Sequence, residues 1–143
     1  MEYIKKERFL ILDNGIKQII IDAWKPSIGD LFTWASNEDL HSDNGVECCT
    51  SENSLQRTLQ SKGFRNNERI PILTSCNIKD IIYTLTKQRV DIKYYSEKEI
   101  ELYSRISILE KFTFKYSNIR EVDALFDMLI KICEIKLEES RED

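Results

Sequence analysis

Glycine and proline are scarce in this chain, with four and two among 143 residues, which excludes long flexible linkers and low-complexity architecture. Histidine occurs once, as His41, in a polar stretch where solvent exposure is the ordinary outcome. No apolar run exceeds the four residues Phe9-Leu10-Ile11-Leu12, far short of the roughly 20 a membrane-spanning helix needs. That run is also too short for the core of a secretory signal, and no small-residue cleavage site follows it, so the chain is expected to stay in the cytoplasm where it is made. Several motifs are missing. There is no C-x-x-C pair, no G-x-S-x-G, no H-E-x-x-H, no glycine-rich phosphate loop, and no arginine six positions after any cysteine. Positive charge is absent between Lys25 and Arg57.

What is present is an ordinary globular balance: 41% apolar and 32% charged residues, with a net charge of −4. A chain of this length buries about two-thirds of its unfolded surface and folds without staples. The acidic balance opposes a dominant nucleic-acid or membrane-surface role, which needs a basic face. Cys48, Cys49, Cys76 and Cys133, two of them adjacent, are expected as free thiols in a reducing compartment.

Patterning predicts one α+β domain over 1–143, with a mostly antiparallel or mixed sheet, three to four helices packed on it and a long C-terminal helix. Asp13-Asn14-Gly15 between apolar runs predicts an N-terminal β-hairpin that pairs Leu10 with Ile19 and Phe9 with Ile20. Ser27 is placed to cap a helix with the stripe Ile28, Leu31, Phe32 and Ala35. Residues 36–50 read as a polar loop with a short strand at Val46 to Cys49. A helix follows over about 52–62, with Gly63 ending it in a left-handed conformation and Leu59 meeting Phe64. Ile70 to Leu73 reads as a strand that Pro71 places at an edge or at a strand start. Asn77 is expected to cap a helix with the stripe Ile78, Ile81, Ile82 and Leu85, and Val90, Ile92 and Tyr94 alternate as a strand. Residues 96–104 are ambiguous, since Ser96 and Glu99 form a capping-box pattern while Ile100 and Leu102 alternate. A long strand is read over 105–116. Asn118 and Glu121 then open the clearest helix, with Val122, Leu125, Phe126, Leu129, Ile132 and Cys133 on one face and a frayed tail over 138–143.

Three constellations bear on chemistry. His41, Cys48, Cys49 and Cys76 lack the spacing of a zinc site, since adjacent extended cysteines point to opposite faces. Cys76 lies near a helix start, where a thiol is activated, yet no base is close in sequence; a packed small residue is the plainer account. Asp91 and Lys93 share a strand face, with Asp80 upstream, as a metal-dependent nuclease requires; the solvent side of an amphipathic strand has the same pattern. Nothing calls for a cofactor.

Charge is distributed unevenly. The stretch without basic residues carries Asp30, Glu38, Asp39, Asp43, Glu47 and Glu52, with Trp34 among them. Residues 57–93 invert this, with eight basic residues (Arg57, Lys62, Arg65, Arg69, Lys79, Lys87, Arg89 and Lys93) against Glu68, Asp80 and Asp91. An acidic surface steers a basic partner toward it, and a nearby aromatic supplies the buried anchor. The expectation is a non-catalytic protein-binding role through Asp30, Trp34, Glu38, Asp39, Asp43 and Glu47. Its concrete form is an immunity-type inhibitor of a basic toxin or nucleic-acid-acting enzyme, and the plain alternative is a solvated acidic loop. Competing expectations are a small enzyme, using Cys76 or Asp80, Asp91 and Lys93, and a nucleic-acid binder using 57–93. The 20 isoleucines against 3 alanines match usage common in accessory genes of bacteria and their phages.

Overall fold

The structure is a computed structural model describing residues 2–35, 45–96, 99–104, 112–117 and 120–142, with side chains described over 2–35, 45–90 and 120–141. The chain is α+β and divides into two compact units, Tyr3–Leu73 and Thr74–Asp143, the latter with residues 1–2.

The first unit contains α1 (Lys6–Leu10), α2 (Asn14–Ala23), β1 (Leu31–Trp34), β2 (Glu47–Cys48), α3 (Glu52–Ser61) and β3 (Arg69–Ile72). Its sheet has the order β2-β1-β3, with both pairings antiparallel. Pro71, which has no N–H to donate, sits on edge strand β3 as expected.

The expected N-terminal hairpin is replaced by two helices. Asp13 takes the N-cap position, and Asn14 and Gly15 open α2 instead of forming a turn. The reason lies in the spacing of Ile16, Ile20, Ile21, Ala23 and Trp24, all buried and all on one side of a helix. A two-residue period would have divided the Ile19-Ile20-Ile21 run between faces. Two lysines close the helix ends. Lys17 Nζ donates to the Leu10 carbonyl at 3.1 Å, and Lys62 Nζ donates to Ile21 and Trp24 at 3.0 and 2.8 Å. Each places a cation at the carbonyl end of a helix, where the dipole favours it.

The helix expected over 28–35 is also absent. Ser27 to Asp30 form a turn, closed by a 3.0 Å bond from Asp30 N–H to the Ser27 carbonyl, and the chain enters β1. Gly29 has φ +99°, which the third position of a type II turn requires and a helix forbids. The proposed stripe is thereby broken: Phe32 and Ala35 are buried while Ile28 is exposed. Strand β2 and helix α3 fall within their expected ranges, and Ser51 caps α3 by accepting from Ser54 N–H at 3.2 Å. Gly63 does not take a left-handed conformation, and α3 ends on an extended Lys62 with Leu59 exposed. A Cβ at Gly63 would meet the Glu68 carboxylate, which would have to swing aside.

The second unit contains α4 (Ser75–Thr86), β4 (Asp91–Ser96), β5 (Glu99–Ser104), β6 (Phe112–Ser117) and α5 (Glu121–Glu142). The strands form a separate antiparallel sheet in the order β4-β5-β6. The single expected sheet is therefore two. The cap of α4 is Thr74, three residues before the expected Asn77; Asn77 is the reciprocal member of a capping box, accepting from Thr74 N–H at 3.1 Å. Ile78, Ile81 and Ile82 are buried as expected.

The ambiguous 96–104 stretch holds a strand, β5, and β6 lies within the long strand read over 105–116 except for its last residue; 105–111 lie outside the described residues. So does Asn118, the expected cap of α5. The apolar face of α5 is as read, with Val122, Leu125, Phe126, Leu129, Ile132 and Cys133 all buried. The helix continues to Glu142. It packs on α4, β5 and β6, and Lys79 Nζ pairs with Glu121 at 3.2 Å between the two helices.

Candidate partner-binding site

The expected site residues fall in two groups. Glu38, Asp39 and Asp43 lie outside the described residues. Asp30, Trp34 and Glu47 belong to the β2-β1-β3 sheet or its entry. Asp30 is half-buried in the turn before β1. Its carboxylate accepts from Ser27 N–H at 3.0 Å and its carbonyl from Cys49 N–H at 2.9 Å. This carboxylate therefore shapes the turn as well as carrying charge.

Strand alternation sorts the remaining residues. Glu47, Phe32 and Pro71 are cross-strand partners in one row, and Trp34 and Arg69 form the next, so all five occupy one face of the sheet. Glu47 is exposed on edge strand β2. Phe32 is buried and Trp34 is half-buried, their rings meeting edge to face with centroids 5.6 Å apart. The Arg69 guanidinium lies over both, 4.5 Å from the Phe32 centroid and 5.5 Å from that of Trp34. Cation–π contacts of this kind contribute about 0.5–2 kcal/mol.

Arg69 is itself held from behind. Its Nη1 donates to Thr58 Oγ1 at 2.9 Å, and that hydroxyl, fully buried on α3, donates to the Ser54 carbonyl at 2.9 Å. Cys49 Sγ lies 3.5 Å from the same hydroxyl. The outcome is a partly exposed indole held by an aromatic edge, a stacked cation and the 3.2 Å bond from Lys6 Nζ to the Trp34 carbonyl. Sequence reasoning placed Trp34 in the site but missed Phe32, Arg69 and Thr58. The pairing of Trp34 with Arg69 joins residues 35 positions apart, and no local pattern signals it.

Of the residues expected in the competing chemistries, the side chains of Asp91 and Lys93 lie outside those described. Cys76 is exposed in the first turn of α4, and Asp80 is exposed one turn on. Asp91 and Lys93 stand opposite Tyr103 and Glu101 in the register of β4 with β5. Among the described residues no group of three His, Cys, Asp or Glu side chains converges as a metal site would require. Cys49 and Cys133 are buried, and burial pushes the Cys133 thiol up to about 12, the opposite of an activated nucleophile.

Much of the basic stretch is engaged internally. Lys62 closes α2, Arg69 covers the aromatic pair, and Lys79 meets Glu121. Arg89 and Lys87 lie 4.8 and 6.0 Å from the Tyr83 ring centroid, and Arg57 and Arg65 are exposed. No helix among the described residues is long and apolar enough to cross a membrane. No family model, curated protein or solved structure matches this chain.

Proposed function

We propose that the chain is a non-catalytic protein-binding protein whose Trp34-bearing sheet face and acidic 30–47 stretch engage a basic protein. The observation that carries this reading is the state of Trp34: partly exposed, fixed by Phe32 and Arg69, and on the same face as exposed Glu47. A fixed aromatic loses little freedom on binding, so more of its burial appears as affinity. The five carboxylates of 30–47, without an intervening lysine or arginine, supply the long-range attraction that raises encounter rates. In its concrete form the protein is a cytoplasmic, immunity-type inhibitor of a basic toxin or nucleic-acid-acting enzyme, encoded among bacterial or phage accessory genes and needing no cofactor. Capture from the native host at low salt tests it. Wild-type protein should retain a basic protein that Trp34→Ala retains poorly. Equal retention by both removes Trp34 from the mechanism.

A second reading is nucleic-acid contact through the end of α4, favoured by exposed Tyr83 with Arg89 and Lys87 beside its ring. Labelled single-stranded oligonucleotide should then bind with steep salt dependence that Lys87→Ala with Arg89→Ala reduces. The carbonyl end of α4 opposes an anion at this place, which ranks the reading second.

A further inference from the structure

We propose that Arg69, laid across Phe32 and Trp34, is a carboxylate-binding site that takes one acidic side chain of the protein partner. That source of the carboxylate rests on the protein-binding reading above; the anion site itself does not. Several N–H donors radiate from a guanidinium, and here only Nη1 has a protein acceptor among the described residues, the Thr58 hydroxyl at 2.9 Å. No described carboxylate forms an ion pair with Arg69. The carboxylate of its sequence neighbour Glu68 accepts from Arg65 N–H at 2.9 Å. Glu47 shares the face but stands two strands away, about 10 Å at ordinary strand spacing.

The group is thus a cation held by Thr58, partly exposed, beside two aromatic rings and without a counter-charge among the described residues. The two rings lie 4.5 and 5.5 Å from the guanidinium carbon and shield it on their side, and the Thr58 bond restrains its rotation. A planar fork held in this way matches a carboxylate with two parallel N–H···O bonds. A phosphate dianion fits less well, because one guanidinium leaves half its charge unmatched and Glu47 on the same face repels a dianion more strongly than a monoanion. The consequence for specificity is that the acidic surface has a positive point beside its anchor. A partner of uniform positive charge meets repulsion at Arg69, whereas one with a single Asp or Glu within its basic surface is matched.

The test uses the full chain alone, with acetate as the probe and chloride at equal ionic strength as the control. The arginine Nε–Hε and tryptophan indole signals are followed by 1H–15N NMR. The Arg69 and Trp34 signals should shift saturably with acetate, at half-saturation in the millimolar range, and not with chloride. In Arg69→Lys the Trp34 response should weaken by roughly tenfold, since an ammonium cannot form the paired bonds. No saturable shift in the wild type, an equal shift with chloride, or tighter binding of inorganic phosphate than of acetate overturns the proposal. The wild-type titration decides even if the variant folds poorly. It requires no partner, so its failure leaves the protein-binding reading standing, and the reverse also holds.

Discussion

The two compact units of this chain are held together by different means. In Tyr3–Leu73, short elements are joined by side chains that reach across sequence: Lys17 and Lys62 close helix ends, Lys6 holds the end of β1, and Arg69 links β3 to Thr58 on α3 and to the rings on β1. In Thr74–Asp143, the 22-residue helix α5 buries a continuous apolar face that local spacing fully encodes. A helix that long carries its own signal six times over in Val122, Leu125, Phe126, Leu129, Ile132 and Cys133. A four-residue strand such as β1 carries almost none.

This difference accounts for what was legible beforehand. Helix α5, the buried stripe of α4, strand β2, helix α3 and the edge position of Pro71 follow from spacing and from the missing proline N–H. The first 35 residues did not follow. Asn14-Gly15 has the letters of a hairpin turn, and Ser27 to Ala35 has the spacing of a helix. Tertiary burial settled the first and the Gly29 turn, with pairing to β3, the second. The cap of α4 was misplaced because Thr74 and Asn77 both suit a capping box, and only the start of the helix distinguishes their roles. For the proposed site, Asp30, Trp34 and Glu47 were chosen from charge and aromatic content. The Arg69 platform was invisible because it exists only once β1 and β3 pair.

The contrast can be broken by substitutions in each unit. The largest effect is expected for Phe126→Ala in α5, a loss of about 3–5 kcal/mol in urea-induced unfolding, because a fully buried ring leaves a cavity. Thr58→Val should lose about 1–3 kcal/mol in the same measurement, since Arg69 Nη1 and the Ser54 carbonyl both lose their hydroxyl partner. A loss below a few tenths would mean that Arg69 is held by stacking alone. Thr74→Ala should cost about 1 kcal/mol through the α4 capping box.

Smaller still are the alkaline effects, which have opposite signs in the two units. Cys133, pushed up by burial from 9.0 to about 12, stays neutral in the folded chain while the unfolded thiol ionises, so its contribution falls as pH rises from 9 toward 12. Lys62, held below its ordinary 10.5 chiefly by burial, loses its proton earlier in the folded chain. Its contribution therefore rises as pH climbs from that lowered value to 10.5. Stability profiles of Cys133→Ala and Lys62→Met against wild type should show these slopes removed, each in its own direction. A profile unchanged in either variant would contradict the burial described for that group.

The association rate of the captured basic partner, measured over a salt series with wild-type protein and with Asp39→Lys combined with Asp43→Lys, bears most directly on recognition by opposite charge around Trp34. The wild type should associate faster by about tenfold or more at low salt, and the two should converge as salt screens the field. Identical rates at low salt would contradict it.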